Sequence, residues 1–80
     1  MKLLFYGRLA EAIGTELEVA VSPGLSVADV RELLAAQHPD AAGVLRHKKA
    51  LSFVGDRLVR DDYCLEVGDT LEFMPPVSGG

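Results

Sequence analysis

The sequence is poor in the residues that most often hold metals or form disulfides. It has a single cysteine, Cys64, so no disulfide can form within the chain, and a reducing cytoplasmic location fits this usage. Cys64 has no CxxC neighbour and lies between Tyr63 and Leu65, which predicts a partly buried thiol with a packing role. His38 and His47 lack metal-ligand spacing with each other or with Cys64. We therefore predict no metal site and no bound cofactor.

Other absences exclude further classes of function. The chain has 8 basic and 12 acidic residues, a net charge of −4 and no basic stripe, so nucleic acid is a poor partner. No apolar run approaches the roughly 20 residues of a membrane span, and the apolar N-terminus is too short for a signal peptide. A membrane partner is not expected. Because no glycine-rich phosphate loop is present, any ATP that the function needs must bind to another protein.

The pattern of apolar and turn residues predicts one α+β domain. Strands are expected at residues 2–7, 16–21, 50–54, 57–59 and 70–74. The first strand is apolar on both faces, which is typical of a central strand. A short helical turn is predicted at 8–13, and 40–49 is predicted to be a loop with one helical turn.

One principal helix is predicted from Val27 to Gln37. Ser26 can cap its first turn, and Asp29 three residues later completes a capping box. The helix should end near Gln37 because Pro39 disfavours helical geometry in the residue before it. Residues at helical spacing are expected to form its buried stripe: Val27, Val30, Leu33 and Leu34. The domain is therefore a mixed sheet with one principal helix on one face.

A single helix leaves the second face of this sheet uncovered. If Leu3 and Phe5 face the helix, alternation turns Leu4 and Tyr6 the other way, together with Met74 of the last strand. Leu58 can join them. One interpretation is that twisted strands leave such side chains half covered. The functional interpretation is an apolar docking surface for another protein.

The last six residues read as a tail, which divides the chain into a domain at 1–74 and an extended segment at 75–80. Two prolines prevent the segment from continuing as an interior strand and favour an extended form. Its sequence is Pro75-Pro76-Val77-Ser78-Gly79-Gly80. Fully extended, six residues reach about 20 Å. A Gly-Gly end can enter a narrow channel and presents an unhindered carboxylate.

Three segments together carry a family resemblance. They are residues 4–7 with Glu11 and Gly14, residues 67–73, and the Pro-Pro-Val-Ser-Gly-Gly ending. The sequence resembles the small subunits of molybdopterin synthase, which are ubiquitin-like sulfur carriers with a β-grasp fold. Tyr6 stands where that family often has phenylalanine, and Met74 where it often has another aromatic residue. Both remain large and apolar, so the docking surface is retained.

The resemblance implies a function for the tail. An activating enzyme would use ATP to adenylate the Gly80 carboxylate, and a sulfur donor protein would displace AMP to leave a thiocarboxylate. Gly79 and Gly80 are then the reacting end of a subunit that is not itself catalytic. The large subunit of the synthase would accept the tail in a heterotetramer and use the sulfur to form the dithiolene of molybdopterin. The expected partner-binding residues are Tyr6, Leu58, Met74, Pro75, Pro76, Val77 and Ser78.

Two other functions share the Gly-Gly ending. One is a sulfur carrier for thiamine or another thiolated product. The other is a ubiquitin-like modifier that is joined to lysines of other proteins. The Pro-Pro-Val-Ser ending favours molybdopterin synthesis over both.

Overall fold

A computed structural model describes residues 1–20, 22, 24–46 and 50–75, and their arrangement confirms the predicted α+β fold. The strands of the described chain are β1 (Lys2–Phe5), β2 (Glu16–Glu18), β3 (Leu51–Val54), β4 (Arg57–Val59) and β5 (Thr70–Met74). The helices are α1 (Arg8–Ile13), α2 (Val27–Gln37) and α3 (Ala42–Arg46), with a 3-10 turn at Pro39–Ala41. None of these helices has the length and apolar character needed to cross a bilayer.

The last strand lies in the middle of the sheet. The strand order is β2-β1-β5-β3-β4, with β1 and β5 parallel and the other neighbouring pairs antiparallel. The prediction of a central position for β1 is confirmed, since it has a neighbour on each side. Because β5 is the central strand, the C-terminal segment leaves the domain from the middle of the sheet rather than from an edge.

The core lies between one face of the sheet and the helices. Alternate residues of β1 and β5 contribute Leu3, Phe5, Leu71 and Phe73, all at most 1% exposed. The rings of Phe5 and Phe73 stack with centroids 5.8 Å apart. All three helices contribute to the same cluster, which places them on one face of the sheet.

The N-terminus of α2 is capped as predicted. Ser26 Oγ accepts from the backbone N–H of Asp29 at 3.1 Å, and the Asp29 carboxylate accepts from the N–H of Ser26 at 3.0 Å. The hydrogen bond from the Ser26 N–H lowers the pKa of the Asp29 carboxyl. The stability that this bond adds is therefore present when the pH is above the ordinary pKa of an aspartate, and it is lost as the pH falls and the carboxylate is protonated. The N–H groups of Val27 and Ala28 donate to carbonyls in the loop at 61–63, which holds this loop against the helix.

The buried stripe of α2 differs from the prediction at Leu33. This side chain is 38% exposed, whereas the predicted Val27 and Leu34 are fully buried. At about 100° per residue, Leu33 lies well to one side of the stripe. Arg31 lies within the stripe and is 5% exposed. Its guanidinium carbon is 5.2 Å from the centroid of the Phe73 ring.

The Arg31 guanidinium connects four segments of the chain. Its Nε donates to Asp61 Oδ1 at 3.0 Å, and its Nη1 donates to the Leu45 carbonyl at 3.1 Å. Its Nη2 donates to the Ala50 carbonyl and to Ser52 Oγ, both at 2.7 Å. Ser52 is 1% exposed, so this buried hydroxyl relies on Arg31 for its bond. The arginine thereby joins α2 to the end of α3, to β3 and to the loop after β4.

We predict that Arg31→Met lowers the free energy of unfolding by about 2 kcal/mol or more, because it leaves buried acceptors without donors. Arg46→Met is the control. Arg46 forms an exposed ion pair with Glu32 at 3.1 Å, and its loss should cost less than about 1 kcal/mol. Urea unfolding measures both values. Equal losses in the two variants would contradict a structural role for the Arg31 network.

Candidate functional site

The sheet face opposite the helices carries a second set of apolar side chains. We call this set the apolar face: Leu4, Tyr6, Leu51, Phe53, Leu58 and Met74. The strand register places Leu58 opposite Phe53, and in the same row Glu72 of β5 lies between Phe53 and Leu4. Leu51 lies opposite Met74 in a second row. The apolar face therefore crosses β1, β5, β3 and β4 without interruption by a loop.

The apolar face is accessible to another protein. Leu58 is 62% exposed and Tyr6 is 41% exposed, while Leu4 and Met74 are half-buried. Tyr6 follows β1, and its N–H donates to the carbonyl of Phe73 beside Met74. Leu58, the third predicted docking residue of the domain, lies two strands away on β4. Continuous exposed apolar patches of this kind mark protein interaction sites.

Two residues of the apolar face were not among the predicted docking residues. Leu51 and Phe53 are half-buried and connect Leu58 to Met74 across β3. The polar Ser52 between them would place Leu51 and Phe53 in the core if polarity alone decided the faces. The Arg31 bond to Ser52 reverses this assignment. The pairing of β3 with β5 would have placed Leu51 and Phe53 on the uncovered face, but this pairing is not evident from the sequence alone.

Charged groups lie within and beside the apolar face. Glu72 is half-buried between Leu4 and Phe53, and its Oε2 is 3.5 Å from the Tyr6 hydroxyl. At the β2 edge, Glu16 lies 3.9 Å from the ammonium of Lys2. The described side of the sheet thus combines an apolar surface with acidic groups.

The tail begins where Pro75 meets Gly7. Gly7 has φ 62° and ψ −136°, a conformation that is essentially restricted to glycine. A Cβ atom at this position would lie 3.2 Å from Pro75 Cγ. The absence of a side chain at Gly7 therefore lets the first residue of the tail lie against the turn after β1. The other predicted tail residues lie outside the described residues: Pro76, Val77, Ser78, Gly79 and Gly80.

Gly7 and Pro75 together form the start of the predicted tail, which we call the tail root. An open depression adjoins the tail root. It has a volume of about 460 Å³, and its lining includes Tyr6, Arg8, Val44 and Pro75. Tyr6 belongs both to this lining and to the apolar face. The apolar face and the start of the predicted tail are therefore contiguous.

The predicted partial burial of Cys64 is wrong, because this side chain is exposed. Its backbone pairs with Ser26 in an isolated bridge, and the neighbouring Leu65 supplies the buried side chain of the segment. Alternation around Leu65 turns Cys64 outward. The thiol is accessible, but no cluster of three or more metal-ligand side chains occurs in the described part of the chain.

A family model and a full-length relative place the chain in one family. The ThiS family model matches residues 3–80. The chain is 35% identical to the molybdopterin synthase sulfur carrier subunit of Escherichia coli (strain K12), over 100% of this chain and 99% of that protein. Two of the solved structures that share the fold are molybdopterin-converting factors. One is the putative molybdopterin converting factor subunit 1 of Pyrococcus furiosus, with a TM-score of 0.81, 24% identity and 95% coverage of both chains.

The second is a complex of subunits 1 and 2 of the molybdopterin-converting factor from Helicobacter pylori 26695. The matched chain has a TM-score of 0.68 and 19% identity, with coverage of 99% of this chain and 96% of that one. Identities this low establish a common fold and no more. In the Helicobacter pylori complex, a protein of this fold is bound to a second subunit.

The Gly7 turn gives a test of the tail root. We predict that Gly7→Ala lowers the free energy of unfolding by about 1–3 kcal/mol, because it adds a Cβ to a strained conformation beside Pro75. Gly43→Ala is the matched control: Gly43 lies in α3, and a Cβ there would meet nothing within 4 Å. It should be neutral or stabilise by up to about 1 kcal/mol. Urea denaturation compares the two, and similar effects would argue against a constrained turn.

Proposed function

Because the chain belongs to the ThiS family, we propose that it is the sulfur carrier subunit of a molybdopterin synthase. The full-length similarity to the E. coli sulfur carrier subunit carries this proposal. That similarity, like the family match, extends through the C-terminal Gly79 and Gly80. The resemblance inferred from the sequence motifs is thereby confirmed.

The proposed reaction takes place at the terminal carboxylate. A carboxylate is a poor acyl donor, since oxide would have to leave from its carbon. ATP bound to an activating enzyme supplies a better leaving group when the Gly80 oxygen attacks its α-phosphorus and pyrophosphate departs. Hydrosulfide delivered by a sulfur donor protein then attacks the acyl carbon, the bond from this carbon to the AMP oxygen breaks, and Gly80 ends as a thiocarboxylate with no change of oxidation state. This sulfur is passed to a pterin precursor in the large subunit to form the dithiolene.

The domain contributes recognition rather than chemistry. Tyr6, Leu58 and Met74 would bind the large subunit through the apolar face, and Pro75 would direct the following residues into its active site. The complex of subunits 1 and 2 from Helicobacter pylori supports a large subunit as the partner. Contiguity of the apolar face with the tail root supports the same assignment, because docking then fixes the origin of the tail. The reacting atom would be positioned by the partner's pocket.

The carboxylate proposal predicts that deletion of Gly80 abolishes thiocarboxylate formation. The deletion moves the acyl carbon back by about 3.5 Å, whereas misplacement by about 1 Å can already lower a rate about a hundredfold. Gly79→Val should be nearly as damaging, because a β-branched side chain widens and stiffens the tail. ATP-dependent sulfur loading, measured by intact mass as one sulfur-for-oxygen exchange, tests both variants.

Cys64→Ala is the control for a carrier role of the exposed thiol. It should keep full sulfur loading, because Cys64 lies in the domain and not on the tail. If the Gly80 deletion still acquires sulfur, or if Cys64→Ala folds but does not, the sulfur is carried by the side chain. Isopeptide-linked ladders in place of thiocarboxylate, in protein from its own cells, would instead identify a protein modifier.

The docking proposal predicts that Met74→Asp weakens binding to the large subunit at least about tenfold while the isolated fold is retained. The added carboxylate is solvated in the free protein and is buried only in the complex. Val67→Asp is the matched control, since Val67 is apolar, 89% exposed and in the loop before β5. Calorimetric titration measures both affinities. Equal affinities would exclude the apolar face as the interface.

A further inference from the structure

Glu72 is the exception within the apolar face. Its neighbours across the strands are Leu4 on one side and Phe53 on the other. A position on the central strand, flanked by apolar residues on both sides, would be expected to carry an apolar residue. Instead it carries a half-buried carboxylate, which any protein docked on this face would cover.

We propose that Glu72, with the Tyr6 hydroxyl beside it, determines the specificity of the docking face by receiving an arginine or lysine side chain of the large subunit. This inference rests on the proposed function, since it concerns the contact through which that function's partner is recognised. It assigns to Glu72 a role in binding and none in sulfur transfer.

A protein docked on this face would remove water from the Glu72 carboxylate. A carboxylate that loses its water without gaining donors is strongly destabilising in an interface. The Tyr6 hydroxyl is 3.5 Å from Glu72 Oε2, which is long for an O–H···O bond and leaves most of the acceptor capacity of the carboxylate unused. A docked partner must therefore supply donors, and a cationic donor forms the strongest bond to a carboxylate.

The charge of Glu72 is not compensated by a described cation nearby. The ion pairs of the described residues join other groups, and none of their cations lies within 4.0 Å of the Glu72 carboxylate. On the same side of the sheet, Glu16 of the β2 edge pairs with Lys2 and Glu18 pairs with the N-terminal ammonium of Met1, so this edge adds no net charge. The charge left without a described cation on this face is that of Glu72, which is complementary to a cationic group of the partner.

The same charge argues against a second copy of this chain as the occupant. A two-fold dimer centred on the apolar face would bring Glu72 of one copy towards Glu72 of the other. Like charges in a desolvated interface are strongly unfavourable. A partner of different sequence and opposite local charge is the better fit.

The experiment measures association and dissociation rates of the full-length protein with the large subunit from the same organism. Glu72→Gln keeps the shape of the side chain and removes its charge. We expect it to weaken binding at least about tenfold, mainly through faster dissociation. Glu16→Gln is the matched control, with the same change of charge at the rim of the same face. It should mainly slow association.

Tyr6→Phe provides a second, independent variant. It removes the hydroxyl and keeps the ring, so the loss should be smaller, about two- to fivefold, and non-additive with Glu72→Gln in a double-mutant cycle. Additive effects would show that the two groups do not act on one partner side chain. Thermal unfolding of each variant verifies that the fold is unchanged.

The outcomes separate this inference from the proposed function. If the wild type binds, Met74→Asp abolishes binding and Glu72→Gln binds equally or more tightly, only the role of Glu72 is overturned. If the wild type fails to bind the large subunit, the proposed function fails together with this inference. Two results overturn the choice of occupant. One is impaired sulfur loading by the activating enzyme with unchanged binding to the large subunit, and the other is a dimer formed through this face.

Discussion

The helices of the described chain cover one face of a five-stranded sheet, and the rest of the architecture depends on that one-sided cover. α1, α2 and α3 share a single core with β1 and β5. The opposite face keeps large apolar side chains in contact with water, Leu58 being the most exposed of them. Burying such surface is favourable at about 25 cal/mol per Å². Binding of a second protein can bury this surface, because no helix of the described chain covers it.

Local signals in the sequence were sufficient for most of the secondary structure. The capping box at Ser26 and the proline at Pro39 define α2, and the structure places it at Val27–Gln37 as predicted. The burial of one side chain in α2 was not predicted, because tertiary contacts determine it. Arg31 is buried because partners from α3 and β3 surround its guanidinium, and no pattern within α2 indicates those partners. The exposure of Leu33 follows instead from its angle about the helix axis.

In the candidate site, too, some residues were predicted from local patterns and others required long-range contacts. Alternation placed Tyr6 and Met74 on the uncovered face, and the tail motif indicated Gly79 and Gly80 as the reacting end. Phe53 required the pairing of β3 with β5. The fit of Pro75 against the turn after β1 required β1 and β5 to be parallel neighbours. Both are contacts between residues far apart in the sequence, and local sequence patterns do not predict which distant strands pair.

The central position of β5 connects recognition to chemistry. A six-residue tail reaches about 20 Å, and a tail that left the domain from a mobile edge would distribute its end over a large volume. Here the tail starts beside the apolar face, on the strand that also carries Glu72 and Met74. Docking of that face would fix the origin of the tail and raise the effective concentration of its end at one place in the partner. In the proposed function, recognition depends on side chains of the sheet and reaction depends on a backbone terminus, so the two could change independently. A carboxylate at Glu72 would then alter which partner is bound while the terminal chemistry stays the same.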